Sequence, residues 1–82
     1  MVTVKFFGLI RSNHGITELK AEAGTIREIV DTIMHTYPTI TEHEIQTAIL
    51  FVNQEKVMHL RRFSERVQDG DEIVFTNYVG GG

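Results

Sequence analysis

The stretch that decides the fold is Gly24-Thr25-Ile26-Arg27-Glu28-Ile29-Val30-Asp31-Thr32-Ile33-Met34-His35-Thr36-Tyr37-Pro38. Thr25 and Glu28 have capping-box spacing, in which each side chain satisfies a backbone N–H at a helix start. Ile26, Ile29, Val30, Ile33, Met34 and Tyr37 then follow at offsets 0, 3, 4, 7, 8 and 11. That spacing makes one apolar stripe of a 3.6-residue period, opposite Arg27, Glu28, Asp31 and Thr32. Pro38 stops the helix, because the residue before a proline is pushed out of the helical region. A stripe this regular reads Met34 and Tyr37 as core.

Strands flank this helix on both sides. Val2, Val4 and Phe6 alternate with Thr3, Lys5 and Phe7, the period of a half-buried strand. Gly8 ends it and Ser12-Asn13-His14-Gly15 supplies turn chemistry, so Ile16–Ala21 is expected to return as the second strand of a hairpin. Beyond the helix, Thr41-x-x-Glu44 marks a second helix start of one or two turns. Ala48-Ile49-Leu50-Phe51-Val52 is a continuous apolar run, as in a central strand. Asn53-Gln54-Glu55-Lys56 reads as a turn and Val57-Met58 as a short returning strand. Leu60 and Phe63 are the expected anchors of an irregular segment from His59 to Arg66. Asp69-Gly70-Asp71 is a turn that opens a last strand from Glu72 to about Val79. The order predicts an α+β domain with one main helix on one face of a mixed sheet of four to five strands. First and last strands are expected side by side at the sheet centre, so the chain end leaves from a rigid strand.

Composition narrows the function. The chain has 82 residues, 41% of them hydrophobic, one proline and no cysteine. That length holds one core, since separate domains need on the order of 50 residues each. Without cysteine there is no disulfide, no thiolate-ligated zinc and no cysteine nucleophile. Eleven acidic against eight basic residues give a net charge of −3, the wrong sign for binding nucleic acid through its phosphates. Lys56, Arg61, Arg62 and Arg66 form the only local basic cluster, read as a solvated loop, with a docking patch for an acidic partner as the alternative. No apolar run is long enough to span a membrane and no signal-peptide layout opens the chain, so a cytoplasmic location is expected.

Conventional chemistry is absent as well. No nucleophile elbow or phosphate loop occurs. His14, His35, His43 and His59 lack metal-ligand spacing and are expected at the surface. Asp69, Asp71 and Glu72 fit turn chemistry better than a cation site. What remains is the end, Gly80-Gly81-Gly82. Three glycines make a thin backbone that is costly to order. They read either as an unstructured tail or as a terminus whose carboxylate is the reactive group, able to thread a narrow channel.

The whole chain resembles the ubiquitin-like β-grasp sulfur carriers, above all the small subunit of molybdopterin synthase, with the thiamine-pathway carrier next. The resemblance rests on Val4-Lys5-Phe6-Phe7-Gly8 with Leu9-Ile10-Arg11, on Gly24-Thr25-Ile26-Arg27-Glu28, on Val52-Asn53-Gln54, on Asp69-Gly70-Asp71-Glu72-Ile73, and on Gly81-Gly82 at the end. It implies a β-grasp domain over residues 1–79 and a glycine tail over 80–82. An ATP-dependent activating enzyme would adenylate Gly82, and sulfur from a persulfide donor would displace AMP to leave a thiocarboxylate. The large subunit of molybdopterin synthase would receive the tail, with Gly80 and Gly81 giving clearance. The chain itself would bind no cofactor and supply no catalytic group; ATP is consumed by the partner. By motif position Phe7 falls on the family's apolar partner surface, and Phe75 is a further candidate, although its alternation with Ile73 could equally make it core, with Thr76 and Val57 as neighbours. Two departures stand out. Thr76-Asn77-Tyr78-Val79 replaces the family's proline-rich approach, and the loop from His59 to Gln68 is longer. The same terminus also fits a modifier joined to lysines of other proteins, and the fold alone fits an interaction module with a passive tail.

Overall fold

The structure, a computed structural model, describes residues 1–57 and 62–76. Its elements are β1 (Val2–Phe6), α1 (Gly8–His14), β2 (Glu18–Ala21), β3 (Gly24–Thr25), α2 (Ile26–Thr36), α3 (Glu42–Thr47), β4 (Ile49–Val52), β5 (Glu55–Lys56), β6 (Arg66–Val67) and β7 (Glu72–Thr76). Five strands form one mixed sheet in the order β2-β1-β7-β4-β5, and β3 pairs with β6 in a separate two-stranded ladder. The architecture is α+β, as expected. β1 and β7 run parallel, with Val4 opposite Ile73 and Phe6 opposite Phe75. β4 runs antiparallel to β7 on its other side. β7 is therefore the middle strand.

One face of this sheet carries the core. Val2, Val4, Phe6, Leu50, Ile73 and Phe75 are buried there, and Ile26, Ile29, Val30 and Ile33 of α2 are buried in the same cluster. Met34 and Tyr37 pack against that cluster while half-buried. The α2 start is the capping box its sequence announced: Thr25 Oγ1 accepts from the Glu28 N–H at 3.2 Å, and Glu28 Oε1 accepts from the Thr25 N–H at 2.9 Å. α3 starts the same way, with Glu44 N–H on Thr41 Oγ1 at 3.1 Å and Thr41 N–H on Glu44 Oε1 at 3.0 Å.

Several expectations need correction. β1 and β2 pair antiparallel, with Val4 opposite Leu19, but no tight hairpin joins them. The connection is α1, which Gly8 enters at φ 70° and Gly15 ends at φ 67°, both left-handed conformations that glycine adopts without a Cβ penalty. Only Ile10 of α1 is buried, so no apolar period betrays the helix. β2 is shorter than Ile16–Ala21, although Ile16 is buried. The turn after β4 takes two residues rather than four: Asn53 and Gln54 have φ 50° and 71°, and Glu55–Lys56 already pair back onto β4. Both central residues at positive φ suit the twist of a tight hairpin. The described last strand is Glu72–Thr76. Met58, Leu60, residues 77–79 and the glycine tail lie outside the described residues. Phe63 is an anchor as expected, packed on the core beneath the Arg27 guanidinium at 4.8 Å from its ring centre.

Lys56 and Arg66 of the basic cluster are exposed, as expected, Arg61 lies outside the described residues, and Arg62 departs from the solvated reading. It is 5% exposed, and its guanidinium donates to the carbonyl of Ile45 at 2.8 Å and to those of Gln46 and Ala48. Those carbonyls sit at the end of α3, where the backbone lacks partners of its own and carries negative partial charge. The cation closes the helix.

Candidate functional site

β7 points the chain toward its terminus, so the site is built around the far end of that strand. Its near end is fastened by the Asp69-Gly70-Asp71 turn. Asp71 accepts from the Gln68 N–H at 2.8 Å and from Asn53 Nδ2 at 3.0 Å. Asn53 also accepts from the Glu72 N–H at 2.9 Å, and its own N–H donates to the Glu72 carbonyl at 2.8 Å. The backbone N–H of Gln68 and the Asn53 amide hold the Asp71 carboxyl below its ordinary pKa. Asp71 is thus turn chemistry, as read, whereas Asp69 pairs with the N-terminal ammonium at 3.0 Å and Glu72 with Lys5.

At the far end, the Phe7 N–H donates to the Phe75 carbonyl at 2.9 Å, extending the β1–β7 ladder by one bond. Thr76 lies opposite Ile49 across the antiparallel pair and is half-buried. Phe7 is 42% exposed and Leu9 52% exposed, both beside this exit, and the Arg11 guanidinium stands 5.9 Å from the Phe7 ring centre. Phe7 is therefore where a partner could touch it. Phe75 is not: it is fully buried, its ring stacked on Phe6 with centres 6.0 Å apart, which corrects its reading as a surface residue. Its alternation with Ile73 carried that information. Val57 is half-buried against the core. Gly80, Gly81 and Gly82 lie outside the described residues.

Opposite the core, the sheet leaves an open face. Residues directly across from each other share a face, so Lys5, Val74, Phe51 and Lys56 form one row across it. Ile49 and Thr76 form the next row toward the exit. Lys5 reaches Glu72 at 3.0 Å, and hydrogen bonding and charge from that carboxylate raise its pKa. Lys20 donates to Thr3 at 2.7 Å on the same face.

The histidines divide. His35 and His43 are exposed, as expected. His14 is not: its side chain is 10% exposed, with Nε2 2.8 Å from Glu44 Oε2 and Nδ1 3.0 Å from Thr39 Oγ1. It ties the end of α1 to the start of α3, a contact between residues 30 apart that local sequence does not announce. The hydrogen bond from His14, ahead of the capping bond from the Thr41 N–H, is the main cause of a lowered Glu44 pKa. Among the described residues no group of three His, Cys, Asp or Glu side chains could hold a metal. Nor is any helix among them long and apolar enough to cross a membrane.

A five-stranded mixed sheet with parallel first and last strands at its centre, and one long helix across its core face, defines the ubiquitin-like β-grasp class. The model of the ThiS family matches residues 4–82. The chain belongs to that family of ubiquitin-like sulfur carriers. Among solved structures, the Amycolatopsis orientalis BexX/CysO complex contains a chain 25% identical to this one, with TM-score 0.78 and all of both chains covered. SAMP1 from Haloferax volcanii is 16% identical, with TM-score 0.78, covering 99% of this chain and 98% of that one. The complex of subunits 1 and 2 of the molybdopterin-converting factor from Helicobacter pylori gives 20% identity, TM-score 0.71 and coverage of 99% and 97%. Two of these three similar chains were thus solved in complexes with partner proteins. No curated protein matches the sequence.

Proposed function

We propose that this chain is the sulfur-donor subunit of molybdopterin synthase. An ATP-dependent activating enzyme adenylates the carboxylate of Gly82, and a persulfide donor converts it to a thiocarboxylate. A carboxylate is a poor electrophile and an acyl adenylate a good one, so the chain needs no nucleophile of its own to enter this chemistry. Gly80 and Gly81, lacking Cβ atoms, let the terminus thread the large subunit, which supplies the catalytic groups. The chain is then a reagent and not an enzyme, it binds no cofactor, and it works in the cytoplasm. Phe7, with Thr76 beside it, forms the edge that meets the partners.

The observation that carries this reading is the family match running through to residue 82, on a chain whose strand toward the terminus is the middle one of the sheet. A tail delivered from a fastened central strand has a defined point of departure. The test is coexpression with an activating enzyme, ATP and a sulfur donor, followed by intact mass. A gain of about 16 Da, oxygen for sulfur at the terminal carboxylate, is expected, and its absence refutes the proposal. Sulfur transfer to the pyranopterin in the presence of the large subunit then identifies the acceptor.

A second reading, a modifier joined through Gly82 to lysines, is favoured by the likeness to SAMP1 from Haloferax volcanii and to the small archaeal modifier protein 1 of Methanosarcina acetivorans. Purification under denaturing conditions separates the two readings: a ladder of lysine conjugates supports the modifier.

A further inference from the structure

His14, Thr39 and Glu44 come from three separate segments, the end of α1, the loop after α2 and the first turn of α3, and they meet around one imidazole. Glu44 Oε1 is fixed by the α3 capping box, where it accepts from the Thr41 N–H at 3.0 Å and from the Thr41 hydroxyl at 3.3 Å. Its other oxygen, Oε2, lies 2.8 Å from His14 Nε2. Bonds from His14 and from the Thr41 N–H hold the Glu44 carboxyl below its ordinary pKa, so near neutral pH it is ionised and only accepts. The proton between the two groups therefore belongs to Nε2. That assigns the tautomer of the neutral ring. Nδ1 carries the lone pair, and the Thr39 hydroxyl, 3.0 Å away, donates to it.

Burial separates the members of this chain of bonds. The His14 side chain is 10% exposed, whereas Thr39 is an exposed residue. The base is sheltered, and the hydroxyl it polarises is at the surface. Charged groups on the adjoining helices are engaged elsewhere or point outward: Arg11 of α1 lies over the Phe7 ring, Glu42 of α3 pairs with Arg27, and His43 is exposed. Glu44 is thus the carboxylate that faces His14. Ser12, Thr32 and Thr47 make a contrast, since their hydroxyls donate to backbone carbonyls of their own helices, which take no proton. A hydroxyl on an imidazole whose far nitrogen is braced by a carboxylate is the arrangement that activates hydroxyl nucleophiles, and it is recognised by geometry and roles.

We infer that Thr39 is an acyl-acceptor site for small activated acyl donors, such as aryl esters and acyl phosphates, with His14 as its general base and Glu44 as the residue that positions His14. In the step, the Thr39 oxygen attacks the donor's carbonyl carbon while its proton passes to His14 Nδ1. A C–O bond forms, the bond to the leaving group breaks, and phenolate or phosphate departs with the electron pair. Glu44 stabilises the imidazolium, which then returns its proton to solvent. The product is a threonine ester, formed once per chain with no change of oxidation state. No part of the step involves Gly82.

The test uses the full chain and p-nitrophenyl acetate near neutral pH. Intact mass is expected to show one adduct of about 42 Da, an acetyl group for a hydrogen, that hydroxylamine removes and peptide mapping places on Thr39. Acetyl groups on amines survive hydroxylamine, which tells them apart. Thr39→Val should abolish the ester and Thr39→Ser should retain it. His14→Gln should slow its formation by roughly tenfold or more, as loss of a general base does. Glu44→Gln is the sharper variant, because the cap keeps the amide oxygen and so turns the NH2 toward His14. That NH2 donates to Nε2, the ring proton moves to Nδ1, and Thr39 loses its base. Nitrogen NMR should therefore show the Nε2–H tautomer in the parent and the Nδ1–H tautomer in Glu44→Gln, with the ester rate falling alongside and the circular dichroism unchanged. A hydroxylamine-sensitive adduct on another hydroxyl, no such adduct, or an undiminished rate in Glu44→Gln overturns the inference.

Discussion

Removal of the Arg62 side chain is the sharpest test of what holds this fold together. The guanidinium is 5% exposed and donates to the carbonyls of Ile45, Gln46 and Ala48, two of these bonds being fully buried. Burial lowers its pKa, yet the fork of N–H groups has no carboxylate partner among the described residues. In Arg62→Ala the carbonyls at the end of α3 lose their donor, and each buried acceptor left without one costs about 1–3 kcal/mol. Relief of the guanidinium's own desolvation offsets part of this, and water can reach the half-buried Gln46 carbonyl. The net loss is expected at about 3–5 kcal/mol. A domain of this length has a total stability of roughly 4–12 kcal/mol, so the variant should stand close to unfolding.

Urea titration followed by circular dichroism measures the effect. With a slope near 1 kcal/mol/M for a small domain, the midpoint should fall by about 3 M or more. Arg62→Leu is the informative control. Replacing a buried ion by an apolar side chain is often harmless when both partners leave together, but here the carbonyls stay behind. Leucine should therefore recover little, and lysine less than half, since one ammonium cannot serve three acceptors. A leucine variant as stable as the parent would refute the argument, because packing alone would then account for Arg62.

Three further outcomes follow from the same geometry. Glu44 has a pKa below its ordinary value of 4.5, chiefly through His14, so its contribution is present above pH 4.5 and drains away as pH falls through the folded value. His14→Ala should lessen that acid-side loss in a series of urea midpoints, and an unchanged slope against pH would refute the coupling. Phe75→Ala should cost about 3–5 kcal/mol, as truncation of a buried aromatic does, whereas Phe7→Ala should change stability by no more than about 0.5 kcal/mol. If Phe7 meets a partner, the latter variant should instead weaken binding measured by calorimetry, and equal binding with and without the ring removes it from the interface. Gly24→Ala should unseat the α2 cap, because a Cβ there comes within 2.6 Å of Glu28 Oε1; the loss is expected near 1 kcal/mol in thermal melts, and no loss would show that the box is dispensable.

Those expectations also mark which parts of the molecule its sequence disclosed. Thr25 with Glu28, and Thr41 with Glu44, are local pairs, so both capped helices could be placed from spacing alone. The alternation of Val2, Val4 and Phe6 with Thr3 and Lys5 likewise survives as a strand with one face buried. α1 escaped because a seven-residue helix with one buried residue has no period to detect, and Ser12-Asn13-His14-Gly15 looks like a turn in any short window. Arg62 and His14 escaped for another reason. Their partners lie 14 or more residues away, and nothing in a basic cluster or a lone histidine says which member will be drawn inside. β3 and β6 fall between these cases: their two-residue ladder is continued by Ile26 and Arg27, which donate to the carbonyls of Glu65 and Phe63 on the neighbouring segment.

The long-range contacts share a direction. Asn53 and Asp71 fasten the start of β7, the Phe7 N–H fastens its end, and β1 and β4 pair it along both edges. His14 holds the far end of α1, which the exposed Phe7 precedes, while Arg62 and Phe63 secure the loop on the other side. Interactions that neighbours in sequence cannot make are thus spent on fixing one strand and the surface beside its exit. For the proposed activation of Gly82, that is the part of the molecule where position matters. Asn53 separates the two demands, since its amide bonds β7 without touching the exit or the core. Asn53→Ala should therefore destabilise the domain while leaving activation of Gly82 intact in the molecules that remain folded. Equal loss of both would mean that fixation of β7 is itself part of what the activating enzyme reads.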